Sequence, residues 1–371
     1  MRPRRWAEPQ PASPAPAPAL PATRRTKLGL ALVVAVLVAV LVALPAARPA
    51  AGAPDAAAAW AEARARSGWG PFLLPAQGPY QQMRFAYLHE SPELLPAGTV
   101  QAAVALTGNN IWARDRGAHL VDGEWWRAVP LARRALTDRL DASFQWPLLY
   151  LTPGFADRSI EDYHRLTDLP NDSRQDHPRN RLRFERTGAD GTTTVLLGDS
   201  DEGLSARAPV VALRLGLSAP GARIPVTAKL AVSLPELEAE SPVVARTYRD
   251  WALGLAAAAR LWGPLAGTVS GAYVRTRPGP ADLARAQWSG LVSLDLTVWD
   301  TLAVVGQLVA ETPVGRRSDS GFDNPTYEVA LGGKWDNGAG LRVEAGFTEN
   351  FINHDNTIDV GLHAGVALVF P

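Results

Sequence analysis

The feature that most constrains this chain is a period-two alternation of apolar and polar side chains that recurs through its second half. In residues 224–234, Ile224, Val226, Ala228, Leu230, Val232 and Leu234 fall on one face, and Pro225, Thr227, Lys229, Ala231 and Ser233 on the other. Trp288, Gly290, Val292, Leu294, Leu296 and Val298 alternate with Ser289, Ser293, Asp295 and Thr297, and Tyr327, Val329, Leu331 and Trp335 with Thr326, Glu328 and Lys334. Residues 341–347 and 358–370 repeat the pattern, with Arg342, Glu344, Asp359 and His363 on the polar face. Side chains of an extended chain point alternately to opposite sides, so each stretch reads as a strand with one hydrocarbon face. The other face holds full charges, which the inside of a soluble sandwich does not accommodate.

Weaker versions of the same pattern place further strands at 99–107, 124–134, 139–151, 207–217, 248–260, 264–275 and 302–311. Together these make about twelve strands of about ten residues, the length a tilted strand needs to cross a bilayer. Every second connection is short (135–138, 218–223, 261–263, 299–301, 336–339), and Asp336-Asn337-Gly338 is a hairpin-turn sequence. The others (108–123, 152–206, 235–247, 276–286, 312–324, 349–356) are longer and rich in Pro, Asp, Arg and Gly. Short periplasmic turns alternating with long outer loops are the mark of an outer-membrane barrel. In hydrocarbon every backbone polar group needs a partner, so the strands must close on themselves and leave no edge. The fold class is therefore all-β: a transmembrane antiparallel β-barrel of about 12 strands over residues 98–371, with a long outer loop at 152–206. Trp125, Trp126, Trp146, Tyr150, Trp251, Tyr273, Trp288, Trp299, Tyr327 and Trp335 fall near strand ends, where aromatic girdles sit.

The N-terminal region points to the same compartment. Residues 1–26 are Pro/Ala-rich with several arginines, and 28–44 carry no polar side chain. Lys27 precedes that run and Ala51-Gly52-Ala53 follows it, the arrangement of a secretory signal peptide with an extended n-region over 1–53. An uncleaved anchor and a twin-arginine signal are the weaker readings, and the prolines after residue 44 favour cleavage. Residues 54–97 form an extended N-terminal segment, Pro/Gly-punctuated and apolar from Trp60 to Leu95. It either lies in the lumen as a partial plug or is a periplasmic linker.

Composition removes several alternatives. With no cysteine there are no disulfides, thiolate metal sites or lipoprotein anchor. With 37 basic and 37 acidic residues the net charge is zero, which leaves nucleic acid no electrostatic footprint.

Three stretches also resemble DUF3187, a family of uncharacterised Gram-negative outer-membrane proteins. They are Gly70-Pro71-Phe72 with Leu94-Leu95-Pro96-Ala97-Gly98; Ile160-Glu161-Asp162-Tyr163-His164 through Leu169-Pro170 to Arg179-Asn180-Arg181-Leu182-Arg183; and Gly346-Phe347-Thr348-Glu349-Asn350 with Asp355-Asn356-Thr357. The resemblance implies an outer-membrane barrel of unassigned activity. The last strand, ending in Phe370 and then Pro371, also resembles the signal read by the barrel-assembly machinery. The expected partners are that machinery during biogenesis, and outer-membrane lipid with lipopolysaccharide; the expected location is the cell outer membrane.

By strand parity Asp141, Arg214, Lys229, Asp295, Glu328, Arg342, Glu344, Asp359 and His363 face the lumen, as do Gln145, Gln307 and Lys334. Ionisable groups at membrane depth persist when they pair or meet water, so these are the expected pore-lining residues. Interleaved acids and bases would make a salt-bridged plug, and segregated ones a transverse field across a wet pore. In the long outer loop, 159–167 reads as a helix with Ser159 as N-cap. Asp162, His164, Asp168, Asp172, Asp176 and His177 are the oxygen and imidazole donors there, but their spacing matches no metal motif, so neither metal nor cofactor is expected. Catalysis is not expected either: His164 and His363 are the candidates for an embedded hydrolase, and no G-x-S-x-G elbow is present. The favoured function is a narrow channel or small-solute uptake pore. The runner-up is a structural or assembly-related barrel with a plugged lumen, and third comes a barrel-embedded esterase or phospholipase.

Overall fold

A computed structural model describes residues 56–82, 85–115, 119–168, 174–187, 191–235, 249–276, 284–314, 324–350, 352 and 358–370. The expected leader, 1–53, lies outside them. The chain begins with helix α1 (Ala56–Ser67) and a single turn α2 (Pro79–Gln82). Strands β1 (Val100–Asp115), β2 (His119–Thr137), β3 (Leu140–Gln145) and β4 (Leu148–Thr152) follow. Helix α3 (Asp157–Thr167) precedes the short strands β5 (Arg183–Thr187), β6 (Thr193–Leu197) and β7 (Gly203–Ala206). The remaining wall is β8 (Val210–Gly216), β9 (Val226–Ser233), β10 (Trp251–Trp262), β11 (Leu265–Arg275), β12 (Ala286–Trp299), β13 (Leu302–Glu311), β14 (Thr326–Asp336), β15 (Leu341–Glu349) and β16 (Val360–Phe370).

Twelve of these strands close a cylinder in the order β1-β16-β15-β14-β13-β12-β11-β10-β9-β8-β3-β2, with β2 returning to β1 and every pairing antiparallel. This is the closed antiparallel barrel of about 12 strands that the alternation requires. In β12 the rule is visible residue by residue: Trp288, Val292, Leu294 and Leu296 are exposed outward, while Gln287, Ser289, Leu291, Ser293 and Asp295 are buried inward. Trp251, Tyr273 and Trp288 stack edge to face across β10, β11 and β12 at 5.8 and 5.1 Å, forming part of a girdle at the loop end. Trp299 and Trp335, with Trp262, lie exposed at the turn end.

The quarter built by β1 to β8 departs from expectation. The loop expected at 108–123 is strand instead: β1 and β2 continue in register out to Asp115 and His119, so the hairpin stands beyond the barrel's rim. Above the point where Trp146 and Pro147 interrupt β3 and β4, β2 pairs with β4 and β5, and β4 with β7. Proline lacks an amide donor, so the ladder breaks there and the strand resumes as part of a cap. Trp125, expected in a girdle, is fully buried in that cap with Ile111, Val121, Leu149, Leu151, Leu182, Phe184, Leu197 and Ile358. The long loop 152–206 is thus a folded layer on the rim. Its helix begins at Asp157 rather than Ser159, and Ala156 occupies the N-cap position. The helix has no side-chain cap; the Glu124 carboxylate from β2 instead accepts the Phe155 and Ala156 N–H groups and so fixes the chain just ahead of the first turn.

Candidate functional site

Of the described residues, 68–82 and 85–98 run inside the barrel. Helix α1 lies across the turn end, its last carbonyls at Arg64 and Ala65 accepting from the Arg260 guanidinium at 2.8 Å each, as suits a helix C-terminus. This run of strong helix formers (AAAAWAEARARS) is helical where an extended segment was expected. Arg64 pairs with Asp336 of the β14 end at 2.9 Å. The chain then turns inward at Gly68, whose φ of +85° closes the helix with an N–H donated to Arg64 O at 3.0 Å. A Cβ there would overlap Ala266 and the Asp295 carboxylate, so glycine is needed for both conformation and space.

The ascending leg is held by wall carboxylates and one wall amide that accept its backbone N–H groups. Asp295 accepts from Trp69 at 3.0 Å, Gln307 from Phe72 at 2.9 Å, Glu344 from Leu73 at 2.7 Å, and both Glu328 oxygens from Gln77 at 2.8 Å. Lys334 binds the Pro71 carbonyl at 2.5 Å, and Thr107 and Asn109 donate to the Gln77 side chain at 3.0 and 2.8 Å. At the loop end Gln81 reaches Thr326. The descending leg is held mainly by bases. Lys229 takes the Leu88 carbonyl at 2.8 Å and the Glu90 carboxylate at 2.5 Å, and Arg133 pairs with the same carboxylate. Arg214 donates to the Ser91 and Glu93 carbonyls at 2.9 and 3.3 Å, while its remaining edge is bidentate with Asp141. His89 spans Ser270 and Ser289, 2.9 Å from each hydroxyl. The leg leaves at the base, where the Asp138 carboxylate accepts from Ala97 N.

A segment without secondary structure needs partners for its peptide groups when buried, and the inward charges of the wall supply them. Apolar contacts fill the rest: Phe72 and Leu74 pack on Val305 and Ala330, and Phe85 and Tyr87 on Val210, Ala212, Ala231 and Ala252. Among the described residues a cavity of 90 Å³ remains between the legs, room for a few waters, lined by Trp69, Glu90, Arg133, Arg214, Lys334 and Glu344.

Of the residues expected to line a pore, Asp141, Arg214, Lys229, Asp295, Glu328 and Glu344 are buried on the inner face of the barrel. All but Asp141 bond the inserted segment directly. His363 binds Glu344 at 2.7 Å and packs edge-on against Phe72 at 5.6 Å. Arg342 lies at the base, 3.7 Å from Asp336 and over the Trp69 ring. Asp359 stands apart on the rim before β16, bound to Arg174 of the cap at 2.6 Å. Sequence reasoning missed Glu90 and His89, which sit in a stretch with no periodicity, and Arg133, whose parity needed the register of β2. Of the loop donors, Asp162 is exposed and pairs with Arg165, Asp168 ends α3 in a left-handed conformation, His177 packs on Trp112 at 5.2 Å, and Asp172 lies outside the described residues. Burial first, then the Arg114 charge, pushes the His177 imidazole below its ordinary range.

The family model described as a protein of unknown function, DUF3187, matches residues 54–206 and 253–370. No curated protein matches the chain. Among solved structures the chain is similar to the COG4313 outer membrane channel from Pseudomonas putida F1, with 13% identity and a TM-score of 0.48 over 75% of this chain and 97% of that one. It is also similar to the NanC porin, at 7% identity and a TM-score of 0.39 over 73% and 99% of the two chains. A third is the Pseudomonas putida toluene transporter TodX, at 10% identity and a TM-score of 0.38 over 83% and 97%. The matched residues take in the inserted segment, the cap and most of the wall, and the chain belongs to the DUF3187 family of proteins of unknown function.

Proposed function

We propose that this protein is an outer-membrane channel for small solutes, closed in the conformation described by its own residues 68–98. The observation that carries the reading is what fills the bore. A barrel whose only role is structural can close its interior with wall side chains, as small barrels do. Here the wall leaves room for two extended legs, and its charges hold a chain segment as well as one another: Glu328, Lys334, Lys229 and Arg214 all bond peptide groups of the insert. With the segment withdrawn, the same groups would line a water-filled passage with both signs of charge. The even strand number and the short turns at the end where the segment enters and leaves support an outer-membrane location.

The test is single-channel conductance in a planar bilayer, comparing the folded chain from residue 54 with one beginning at residue 98. The intact chain is expected to be nearly silent with rare openings, and the shortened barrel steadily conducting. A folded but silent shortened barrel would overturn the reading in favour of a structural or assembly-related one.

A further inference from the structure

We propose that His164, Glu349 and Asp359 form a site for one divalent transition-metal ion on the loop-end rim, where it joins the cap to the wall. His164 lies on α3, Glu349 ends β15, and Asp359 directly precedes β16. One ligand atom from each lies within 4.8 Å of the others, so a small inward shift of the side chains would bring all three to the distance of about 2.0–2.2 Å from a shared ion.

Two side chains of the set are buried and incompletely bonded. His164 and Glu349 are only 4% and 3% exposed. Neither ring nitrogen of His164 makes a hydrogen bond among the described residues, its Nε2 lying 3.4 Å from Asp359 Oδ1, and Glu349 Oε2 makes none either. Buried polar atoms in native structures have partners, so a pocket of such atoms facing one another marks a missing one. The neighbouring charge agrees. Arg174 binds Asp157 and Asp359 Oδ2 at 2.6 Å each, so its guanidinium is shared between two carboxylates, and Glu349 adds a third carboxylate beside Asp359. Adjacent carboxylates attract a divalent cation. Arg174 binds Asp359 through Oδ2, and Oδ1 lies 3.4 Å from His164 Nε2. An imidazole beside two carboxylates selects a transition metal such as zinc over calcium or magnesium, which prefer all-oxygen shells. The set differs from the loop donors that the sequence suggested: it shares only His164 with them, and its other members come from the wall.

The site is tested by titrating zinc into the folded full chain and measuring bound metal after gel filtration; the absence of cysteine removes thiol competition. One zinc per chain is expected, with affinity lowered about 100-fold by His164→Ala and by the nearly isosteric Glu349→Gln. Asp162→Asn, an exposed change on the same helix, is expected to leave binding unchanged. Heat-modifiable gel mobility establishes that each variant has folded, and zinc should protect the 168–206 region from protease in the wild type but not in Glu349→Gln. No zinc bound by the wild type, or undiminished binding in both rim variants, would overturn the proposal.

Discussion

Two parts of this molecule cover the bore, and they are held by different forces. The cap on the rim has a core of its own, ten buried apolar residues drawn from β1, β2, β4, β5, β6, the cap's connecting stretch and Ile358, as a small domain would. The inserted segment has no such core. Its apolar residues are spread over separate small clusters shared with the wall, and its peptide groups are tied to wall charges one at a time. A cap with a contiguous core unfolds as a unit or not at all. A segment fastened by individual polar contacts, each exchangeable for water, can leave without unfolding anything else.

The largest effect that would separate the two is expected from Trp125→Ala. Emptying the centre of the cap should cost about 3–5 kcal/mol there. Limited proteolysis should then cut between residues 168 and 206, while the barrel keeps its heat-modifiable mobility and its low conductance. If conductance rose as well, cap and insert would be one unit and the contrast would fail.

Next comes Lys229→Met, which leaves the buried Glu90 carboxylate with Arg133 alone. Removing one partner of a buried ion pair costs about 3 kcal/mol or more, so the balance between seated and withdrawn segment should move on the order of a hundredfold. Open-channel time should rise, with the cap's protease resistance unchanged. Gly68→Val should act in the same direction at about 1–3 kcal/mol, because it strains the turn that carries α1 into the lumen. The smallest effect is expected from Trp288→Ala. Losing the edge-to-face pair with Tyr273 should lower unfolding stability by about 0.5–1.5 kcal/mol and leave conductance and cap alike unaltered.

The same contrast governs how much could be read from sequence. The wall from β9 to β16 was legible because an apolar outer face and a polar inner one impose the period-two pattern, and Lys229, Asp295, Glu328 and Glu344 fell inward by parity alone. The β1–β8 quarter obeys no membrane beyond the rim, so Gly108 and Gly123 looked like loop and Trp125 like a girdle residue. The inserted segment was legible only as an alternative, because its conformation is imposed by the wall and leaves no period of its own. Glu90 meets Lys229 across a separation that only the closed barrel creates. Likewise Glu124 anchors the chain just ahead of a helix more than thirty residues away, a tie that no local signal announces, so the sequence offered Ser159 as the start.

The path of residues 68–98 also bears on assembly. The segment enters beside Gly68 and leaves beside Ala97, both at the turn end, so it is a loop pushed into an open cylinder rather than a strand threaded through one. No chain end has to pass the lumen. The barrel can zip β1 to β16 first and receive the segment afterwards from the same side, and the loop can slide out again by the way it came, with every wall hydrogen bond intact. Topologically the stopper is on a tether, never lost from the vessel it closes.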